Sequence, residues 1–308
     1  MTTLTCMRGY PGSGKSTEAR AIAKSAKAAT VIIGRDYIRE MLFGPDYQQN
    51  SSAEDTVTVA QRSQITALLK ADTDVIVDDC NVNAQYLKSF RDLARRAGAH
   101  FQVVDVPTDV ETCIVRDFAR YEQGGRHVGE AVIRKMAKRH PISKWSTVKP
   151  RQPIVVRPLQ EGENSEMLMP VYIVDIDGTL ANHDGIRSPY DYTKVAEDTL
   201  HEDVAYLVNK LAENNGIIIM SGRDDTCRHD TAMWLAMNDI TFDNLYMRPT
   251  AGVDERAKDP DWIVKLGLFN KHIRNQYHVR GVIDDRQQVV DLWRQLGLRC
   301  YQVAPGDF

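Results

Sequence analysis

The sequence has little that would place it in a membrane or in an oxidising compartment. No apolar run approaches the ~20 residues that a membrane-spanning helix needs, and the first residues do not show a basic segment followed by an apolar one. The five cysteines are scattered and never form a Cys-x-x-Cys pair, which argues against a disulfide framework and against a zinc site. We therefore expect a cytoplasmic protein with reduced cysteines and no membrane partner.

The composition is that of an ordinary globular protein, with 43% apolar and 26% charged residues in a chain of 308. This length exceeds that of most single cores and predicts two domains. Four prolines, at positions 150, 153, 158 and 170, flank a polar stretch, so we place a linker at 151–167 between domains at 1–150 and 168–308. The first 150 residues carry 22 Lys and Arg against 17 Asp and Glu, a bias toward polyanions that does not by itself indicate nucleic acid.

The first domain is organised around residues 9–16, Gly-Tyr-Pro-Gly-Ser-Gly-Lys-Ser. They match the phosphate-binding loop pattern, and their position between a short apolar strand and an Ala-rich helix pattern fits that function. We expect Lys15 to reach the β- and γ-phosphates of ATP and Ser16 to bind Mg²⁺. The predicted nucleotide-binding residues are Gly9, Gly12, Ser13, Gly14, Lys15, Ser16 and Thr17.

Strands and helices alternate through this domain, which predicts a doubly wound parallel sheet with polar residues gathered where the strands end. Asp36, after the second strand, is placed to accept a proton from an attacking hydroxyl, and Arg39 to hold an anionic part of the acceptor. Asp78 and Asp79 follow the third strand, and either could be the carboxylate on the Mg²⁺ side.

A Gly-rich stretch at 122–129 follows the helix that contains Arg116 and Arg120, and it includes Arg126. Arginines on a helix end and a loop are what a lid needs to neutralise charge on a transferring phosphoryl group. Arg116 and Arg120 are four residues apart, so they could equally be exposed cations on one helix face.

The second domain opens with an apolar strand that ends in Asp175-Ile-Asp177-Gly-Thr. Two carboxylates at this spacing can divide the work of phosphate transfer, because one attacks phosphorus while the other protonates the leaving oxygen. The whole string after four apolar residues is far more specific than its Asp-Gly turn alone.

Two later apolar strands end in residues of the same kind, Ser221-Gly-Arg223 and Asp284-Asp285. The first offers a hydroxyl, N–H groups and a guanidinium to a phosphoryl group. The adjacent acids would repel each other unless a hard cation lies between them and Asp175. Three strand ends with such residues predict a phosphatase site.

Together these motifs resemble the bifunctional polynucleotide 5′-kinase/3′-phosphatases of T-even-type phages, over nearly the whole chain and in the same domain order. The resemblance implies an α/β protein in which a P-loop kinase domain precedes a Rossmann-like phosphatase of the haloacid dehalogenase (HAD) superfamily. It implies ATP as phosphate donor, Mg²⁺ as cofactor and the ends of RNA or DNA as substrates. It further implies a phage RNA ligase acting downstream and a homotetramer.

The resemblance also assigns roles to individual residues. In the kinase, the general base falls on Asp36, the acceptor-phosphate arginine on Arg39 and the acceptor-site acid on Asp79; Arg120 is the lid arginine, with Arg126 as its rival. In the phosphatase, the nucleophile falls on Asp175 and the acid/base on Asp177. The remaining phosphatase assignments are Arg187 for substrate, Ser221 and Arg223 in the second motif, Asp254 and Lys258 in the third motif with Lys265 as a rival lysine, and Asp284 and Asp285 as metal ligands together with Asp175 and Asp177.

We therefore expect the first domain to transfer the γ-phosphate of ATP to a 5′-hydroxyl and the second to hydrolyse a 3′-phosphate through an aspartyl-phosphate. The products would be ends that a ligase can join. Two other functions fit parts of the pattern: a nucleoside-type kinase fused to a nucleotidase, and an ATP-gated RNA-binding regulator with a degenerate phosphatase. The pattern leaves RNA and DNA open.

Overall fold

The computed structural model describes residues 1–44, 47, 50–250, 252 and 255–306, without the side chains of 255 and 256. The chain divides into two compact units, Met1–Val155 and Val156–Phe308. Within the described ranges, no helix is both long enough and apolar enough to cross a membrane.

The first unit is built on a parallel sheet of four strands in the order β2-β3-β1-β4. The strands are β1 (Thr3–Arg8), β2 (Thr30–Ile33), β3 (Asp74–Val77) and β4 (His100–Asp105). The helices are α1 (Lys15–Ser25), α2 (Arg35–Phe43), α3 (Ser51–Lys70), α4 (Ala84–Arg96), α5 (Val110–Glu122) and α6 (Glu130–Arg139).

Apolar side chains bury both faces of this sheet. Leu4 and Cys6 of β1 pack into a core shared with α3 and α4, whereas Met7 packs against Ala19 of α1. Alternate residues of a strand point to opposite faces, so helices on both sides are needed to cover them. The ends of these strands, which the helices leave uncovered, carry the polar residues that the sequence pattern singled out, such as Asp78 and Asp79 after β3.

The second unit contains a parallel sheet of five strands in the order β11-β10-β5-β8-β9. These are β5 (Pro170–Val174), β8 (Gly216–Asp224), β9 (Asn244–Arg248), β10 (His278–Arg286) and β11 (Cys300–Gly306), and the short β6 (Ala181–Asn182) and β7 (Thr199–Leu200) pair separately. The helices are α7 (Glu202–Ala212), α8 (Arg228–Met237), α9 (Asp261–His272) and α10 (Gln287–Gln295).

The central strand β5 pairs with β8 on one side and β10 on the other, with Val174 opposite Ile219 and Ile283. The three strand ends that carry the predicted phosphatase residues are therefore neighbours. The buried rings of Phe269 (α9) and Trp293 (α10) pack edge to face beside this sheet, with their centroids 5.8 Å apart. Two α/β units with parallel sheets confirm the predicted fold class.

Candidate active sites

The phosphate loop joins β1 to α1, which begins at Lys15. Gly12 and Gly14 have φ values of +81° and +97°, in the left-handed region that L-residues with a Cβ rarely adopt. A Cβ at Gly12 would also lie 2.2 Å from the carbonyl oxygen of Cys113 in α5. The loop therefore needs glycine both for its backbone conformation and for the close approach of α5.

The remaining residues of the predicted nucleotide site lie in the same turn. A Cβ at Gly9 would come within 2.4 Å of Ser13 Oγ, so this glycine is also required by close packing. Lys15 and Ser16 are half-buried at the N-terminus of α1, and Thr17 is exposed. Free N–H groups and the helix dipole favour phosphate at this position.

Two buried side-chain oxygens near this edge of the sheet, Ser13 Oγ and Asp78 Oδ1, have no hydrogen-bond partner in the described part of the chain. A buried carboxylate oxygen without a donor is costly, and a hard cation or its bound water would satisfy it. Asp78 and Ser16 thus fit the Mg²⁺ of a bound nucleotide.

Asp79 occupies a different environment from Asp78. Its two oxygens accept hydrogen bonds from the backbone N–H of Arg35 at 2.9 Å and from Gln61 Nε2 at 2.6 Å. Burial raises the pKa of Asp79, although these two donors oppose the effect. The following Asn81 donates through Nδ2 to the carbonyl of Met7 at 2.8 Å. Asp79 therefore anchors the start of α2 in this structure, and Asn81 ties the turn after β3 to β1.

The predicted general base is held in a network of arginines. Asp36 Oδ1 lies 2.6 Å from Arg39 Nη1, and the Asp36 side chain is 57% exposed, so a substrate hydroxyl can reach it. Glu54 of α3 pairs with Arg39 at 2.7 Å and with Arg35 at 2.7 Å. The hydrogen bonds from Arg39 lower the pKa of Glu54 well below its usual range, with Arg35 adding to the effect. Glu54 thus fixes Arg39, the arginine that the resemblance assigned to the acceptor phosphate.

The lid is organised by a buried acid, Asp117, which is only 1% exposed. It accepts hydrogen bonds from the backbone N–H groups of Val128 at 3.0 Å and Gly129 at 2.9 Å, and it forms an ion pair with Arg120. Burial alone would raise the pKa of Asp117, but these donors outweigh it and lower the pKa. Arg120 Nε also donates to the carbonyl of Arg126 at 2.8 Å. Asp117 and Arg120 together fasten the Gly-rich loop.

The three lid arginines therefore have different partners. Arg120 is committed to the loop, Arg126 forms an ion pair with Asp36, and Arg116 donates through Nη1 to the carbonyl of Ser13 at 3.2 Å. In this structure Arg126 contacts Asp36, and Arg116 contacts the phosphate loop.

Asp175 lies at the centre of the second site, buried at the end of β5. The ammonium of Lys265 is 2.7 Å from Asp175 Oδ1 and 3.0 Å from Asp284 Oδ2. Burial disfavours the charge of Lys265, but the facing carboxylates outweigh it and raise its pKa. Burial raises the pKa of Asp175 as well, and Asp284 and Asp285 add to that effect while Lys265 opposes it.

The oxygens of Asp175, Asp284 and Asp285 lie within 4.8 Å of one another. Three hard oxygen donors with a shared buried position suit Mg²⁺, so these residues fit the implied cofactor. The turn at Gly178 makes room for the cluster, because a Cβ there would lie 2.3 Å from Asp285 Oδ2. Thr179 Oγ1 donates to Asp285 Oδ1 at 3.3 Å and orients that carboxylate.

The Asp177 carboxylate forms ion pairs with two arginines and is not part of this cluster of acids. Arg187 contacts it at 2.6 Å and Arg223 at 2.7 Å, and the same two arginines contact the fully buried carboxylate of Asp198 at 2.7 Å and 2.6 Å. Burial opposes ionisation of Asp177, but the hydrogen bonds and charge of Arg223 prevail and lower its pKa. Its carboxylate lies outside the group of Asp175, Asp284 and Asp285 in this structure, and the metal-ligand role that the resemblance implied for Asp177 stays a prediction. Ser221 Oγ accepts a hydrogen bond from the N–H of Arg223 at 3.2 Å and shapes this turn.

Comparison with known proteins supports the same division. Residues 169–308 match the family described as the polynucleotide kinase PNKP phosphatase domain, and residues 4–141 match an AAA domain. A protein of Autographa californica nuclear polyhedrosis virus, described as a bifunctional polynucleotide kinase/RNA ligase, is 31% identical over 311 residues. That match covers 94% of this chain, and this chain spans 40% of the length of that curated relative.

Two solved structures, "Structure of the Pnkp1/Rnl/Hen1 RNA repair complex" and "Structure of Pnkp1/Rnl/Hen1 complex", contain chains that are 30% and 29% identical to this one. The matches cover 100% of this chain and 97% and 98% of those chains, with TM-scores of 0.49 and 0.48. The two halves of the chain thus belong to different families, residues 4–141 to an AAA domain family and residues 169–308 to the polynucleotide kinase PNKP phosphatase family. The resemblance drawn from the motifs is thereby confirmed for both halves, with a P-loop domain followed by a HAD-type phosphatase domain.

In the second unit, the third phosphatase motif differs from its sequence-based assignment. Lys258 is exposed at the end of a short 3-10 turn, and Asp254 lies outside the described residues. Lys265, kept as a rival, occupies the site, and Asp261 one helical turn earlier lies 3.6 Å from its ammonium. A Cβ at Gly222 would lie 2.3 Å from Asp261 Oδ1, so the second motif and α9 are in close contact. We therefore replace Lys258 by Lys265 and add Asp261.

Sequence reasoning missed three further acids of the two sites: Glu54, Asp117 and Asp198. Each binds an arginine that the motifs did identify. No short pattern marks them, since two of the three are distant in sequence from the motif they support. The one available signal was Asp117, which lies between the two predicted lid arginines Arg116 and Arg120.

Proposed function

We propose that this kinase/phosphatase heals broken nucleic-acid ends by two reactions at separate sites. The first unit transfers the γ-phosphate of ATP to a 5′-hydroxyl, and the second hydrolyses a 3′-phosphate. The observation that carries the proposal is the cluster of Asp175, Asp284 and Asp285 neutralised by Lys265, because it combines a nucleophile with a place for a cation. The kinase half rests on the phosphate loop beside an accessible carboxylate, Asp36.

In the kinase reaction, Asp36 accepts the proton of the 5′-hydroxyl as that oxygen forms a bond to the γ-phosphorus and ADP leaves. Arg39, held by Glu54, binds the phosphate next to the hydroxyl. Lys15 and Arg116, which touch or adjoin the phosphate loop, stabilise charge on the transferring group. Mg²⁺, held by Ser16 and Asp78, would neutralise phosphate charge when the nucleotide is bound.

The contact between Arg126 and Asp36 has to open when the hydroxyl enters, because both groups would otherwise compete for the same carboxylate. Arg126 then lies free to bind the acceptor strand, while Arg120 stays with Asp117 in the loop. Of the two arginines left open by the sequence, we assign Arg126 to the acceptor and Arg120 to holding the lid.

In the phosphatase reaction, Asp175 attacks the phosphorus, the bond to the 3′-oxygen breaks and Asp177 protonates that leaving oxygen. Water then attacks the aspartyl-phosphate while Asp177 takes its proton, which releases inorganic phosphate. The arginines that lower the pKa of Asp177 keep it ionised, which is the form that accepts a proton in the second step. In the first step the same arginines bind the substrate phosphate, so their hold on Asp177 weakens and it can act as an acid.

Asp175, Asp284 and Asp285 would hold Mg²⁺, which offsets the charge of the phosphate and favours the ionised form of Asp175. Lys265 keeps the nucleophile oriented through its 2.7 Å contact. The small-molecule alternative is disfavoured by the match of 169–308 to a polynucleotide phosphatase family. The degenerate-phosphatase alternative is disfavoured by the presence of the nucleophile, the acids and the cation in one cluster.

The substrate class and partners are inferred from the relatives. The viral relative's description joins a polynucleotide kinase to an RNA ligase, and the solved structures are titled as complexes with Rnl and Hen1, one of them as an RNA repair complex. We propose RNA ends as substrates and an RNA ligase as the enzyme that acts next. A homotetramer, a phage origin and a cytoplasmic location stay predictions.

Separate inactivation of the two sites tests the proposal. Lys15→Ala is expected to abolish 5′-phosphorylation of an oligonucleotide and to spare 3′-dephosphorylation, whereas Asp175→Asn should do the reverse. A 5′-hydroxyl oligonucleotide should be phosphorylated far better than a nucleoside, and chelation of Mg²⁺ should stop both reactions. Loss of both activities in either single variant, or a preference for the nucleoside, would contradict the proposal.

A further inference from the structure

Tyr190 is an unusual feature at the mouth of the phosphatase cleft. Its side chain is 83% exposed, and yet the residue lines the same cleft as Asp175, Asp177 and Arg223. An aromatic ring exposed to this extent has most of its surface available to a ligand. Asp175 at the base of the cleft is buried, so the line from Asp175 to Tyr190 leads from the phosphate position to solvent.

The loop that carries Tyr190 is fastened to the phosphate site by a single buried arginine. Arg187, whose side chain is fully buried, pairs with Asp177 and Asp198 and also donates through Nη1 to the carbonyls of residues 188 and 189 at 3.3 and 3.5 Å. The N–H of Asp191 closes the turn on the carbonyl of residue 188 at 2.9 Å. Tyr190 is therefore presented at a fixed place relative to the reacting phosphate.

The base and the mouth of the cleft have side chains that suit different parts of a nucleotide. The base of the cleft holds the carboxylates and cations that suit a phosphate, and Arg248 and Arg286 also line the cleft. A 3′-phosphate placed at Asp175 directs its sugar and base toward the mouth, where the exposed ring lies. Unpaired bases stack on aromatic side chains with little dependence on base identity.

We propose that the ring of Tyr190 stacks on the base of the 3′-terminal nucleotide and thereby selects single-stranded 3′-phosphate ends. This inference rests on the proposed phosphatase function, whose substrate it specifies further. A terminal base that is paired in a blunt duplex cannot lie flat on the ring, so blunt ends bind less well. The ring makes no contact with the reacting atoms, so it acts on binding.

The test compares Tyr190→Ala, Tyr190→Phe and the control Tyr206→Ala, which removes another exposed tyrosine, from α7 of the same unit. The substrates are single-stranded 3′-phosphate oligonucleotides, as RNA and as DNA, and the same DNA strand with an abasic terminal nucleotide. Tyr190→Ala is expected to raise KM on the normal ends about 5- to 150-fold with kcat within about twofold. Tyr190→Phe and Tyr206→Ala should stay within about twofold of the wild type, because the first keeps the stacking face and the second lies elsewhere.

On the abasic end, wild type and Tyr190→Ala should have equal KM values, since there is no base to stack. Equal KM values on the normal ends, or the same rise on the abasic end, would overturn the inference, and the latter would mean that Tyr190 supports the loop. Failure of the wild type to release phosphate would instead overturn the proposed function. In that case the fluorescence anisotropy of a labelled 3′-phosphate strand still tests stacking, because Tyr190→Ala should weaken its binding and not that of the abasic strand.

Discussion

Lys265 of α9 lies between two carboxylates, 2.7 Å from Asp175 and 3.0 Å from Asp284, and is 1% exposed. Charges so deeply buried persist only when each has a partner, because the cost of removing an ion from water is otherwise not recovered. Asp261, the first residue of α9, lies on the same face of the helix and adds a third carboxylate at 3.6 Å. The cation is therefore part of the phosphatase site and not a surface charge.

Substitution of Lys265 by methionine, which keeps most of its volume, is expected to lower 3′-dephosphorylation by at least about 100-fold, since the buried acids lose their cation. The kinase activity should stay within about twofold. The matched control is Lys258→Met, which removes an exposed lysine and should leave both activities close to wild type. If Lys258→Met lost phosphatase activity while Lys265→Met kept it, Lys258 would be the lysine of the third motif.

The turn at Gly178 offers a test of the acid cluster. Gly178→Ala is expected to reduce phosphatase activity by at least about tenfold, because its Cβ would collide with Asp285 2.3 Å away and displace that carboxylate. Gly185→Ala is the control, because Gly185 also has a positive φ, +71°, but has no atom within 4 Å of the added Cβ in the described structure. Both variants bear the backbone strain, about 1–2 kcal/mol, so a difference in activity reports the collision. Equal phosphatase activities in the two variants would show that displacement of Asp285 does not reduce the activity.

The lid should depend on Asp117. Asp117→Ala leaves the N–H groups of Val128 and Gly129 without their acceptor and frees Arg120, so residues 123–129 should exchange amide hydrogen faster. We expect kinase activity to fall about tenfold and phosphatase activity to be unchanged. Asp109→Ala, which removes the N-cap of the same helix, controls for a general loss of helix stability. Unchanged exchange in 123–129 would contradict the anchoring role.

The contact between Glu54 and the arginines should make the start of α2 sensitive to acid. The pKa of Glu54 is lowered in the folded state, so its contribution to stability is present above the unfolded pKa of about 4.3 and is lost as pH falls further. Hydrogen exchange of residues 35–43 should therefore be faster in Glu54→Gln than in wild type at pH 7, and the ratio should shrink at pH 3.5. The control Glu111→Gln removes an exposed partner of Arg134. Its hydrogen exchange should match that of wild type at both pH values, because water screens that pair. If exchange of residues 35–43 is faster in Glu54→Gln than in wild type by the same factor at both pH values, ionisation of Glu54 is not the source of the stabilisation.

The strand ends of both sites could be predicted from the sequence because each is marked by a local pattern. The apolar runs before the acids, four residues before Asp175 and the shorter Gly281-Val-Ile before Asp284, identify buried strands, and parallel strands bring such ends to one edge. The Gly-rich loop before Lys15 was equally clear, and α1 begins at that lysine. Helix α4 (Ala84–Arg96) also follows from the sequence, since its apolar residues recur with a helical period.

The residues that support these motifs were beyond such patterns. Asp198 reaches Arg187 from a loop and Arg223 from 25 residues away, and Glu54 reaches Arg39 from another helix. The sequence left two lysines open for the third motif, and only the start of α9 at Asp261 turns Lys265 and not Lys258 toward Asp175. Which neighbour an acid finds depends on how the helices pack.

The sequence by itself determined that the chain has two α/β domains, that one contains a phosphate-loop pattern, and that carboxylates follow the strands. Those properties arise from periodicity and from short motifs, which act over a few residues. The tertiary structure decided which lysine neutralises Asp175, which arginine faces Asp36 and which acids hold the arginines in place. Such pairs join residues far apart in the chain, and burial makes them strong only at the distances that packing sets.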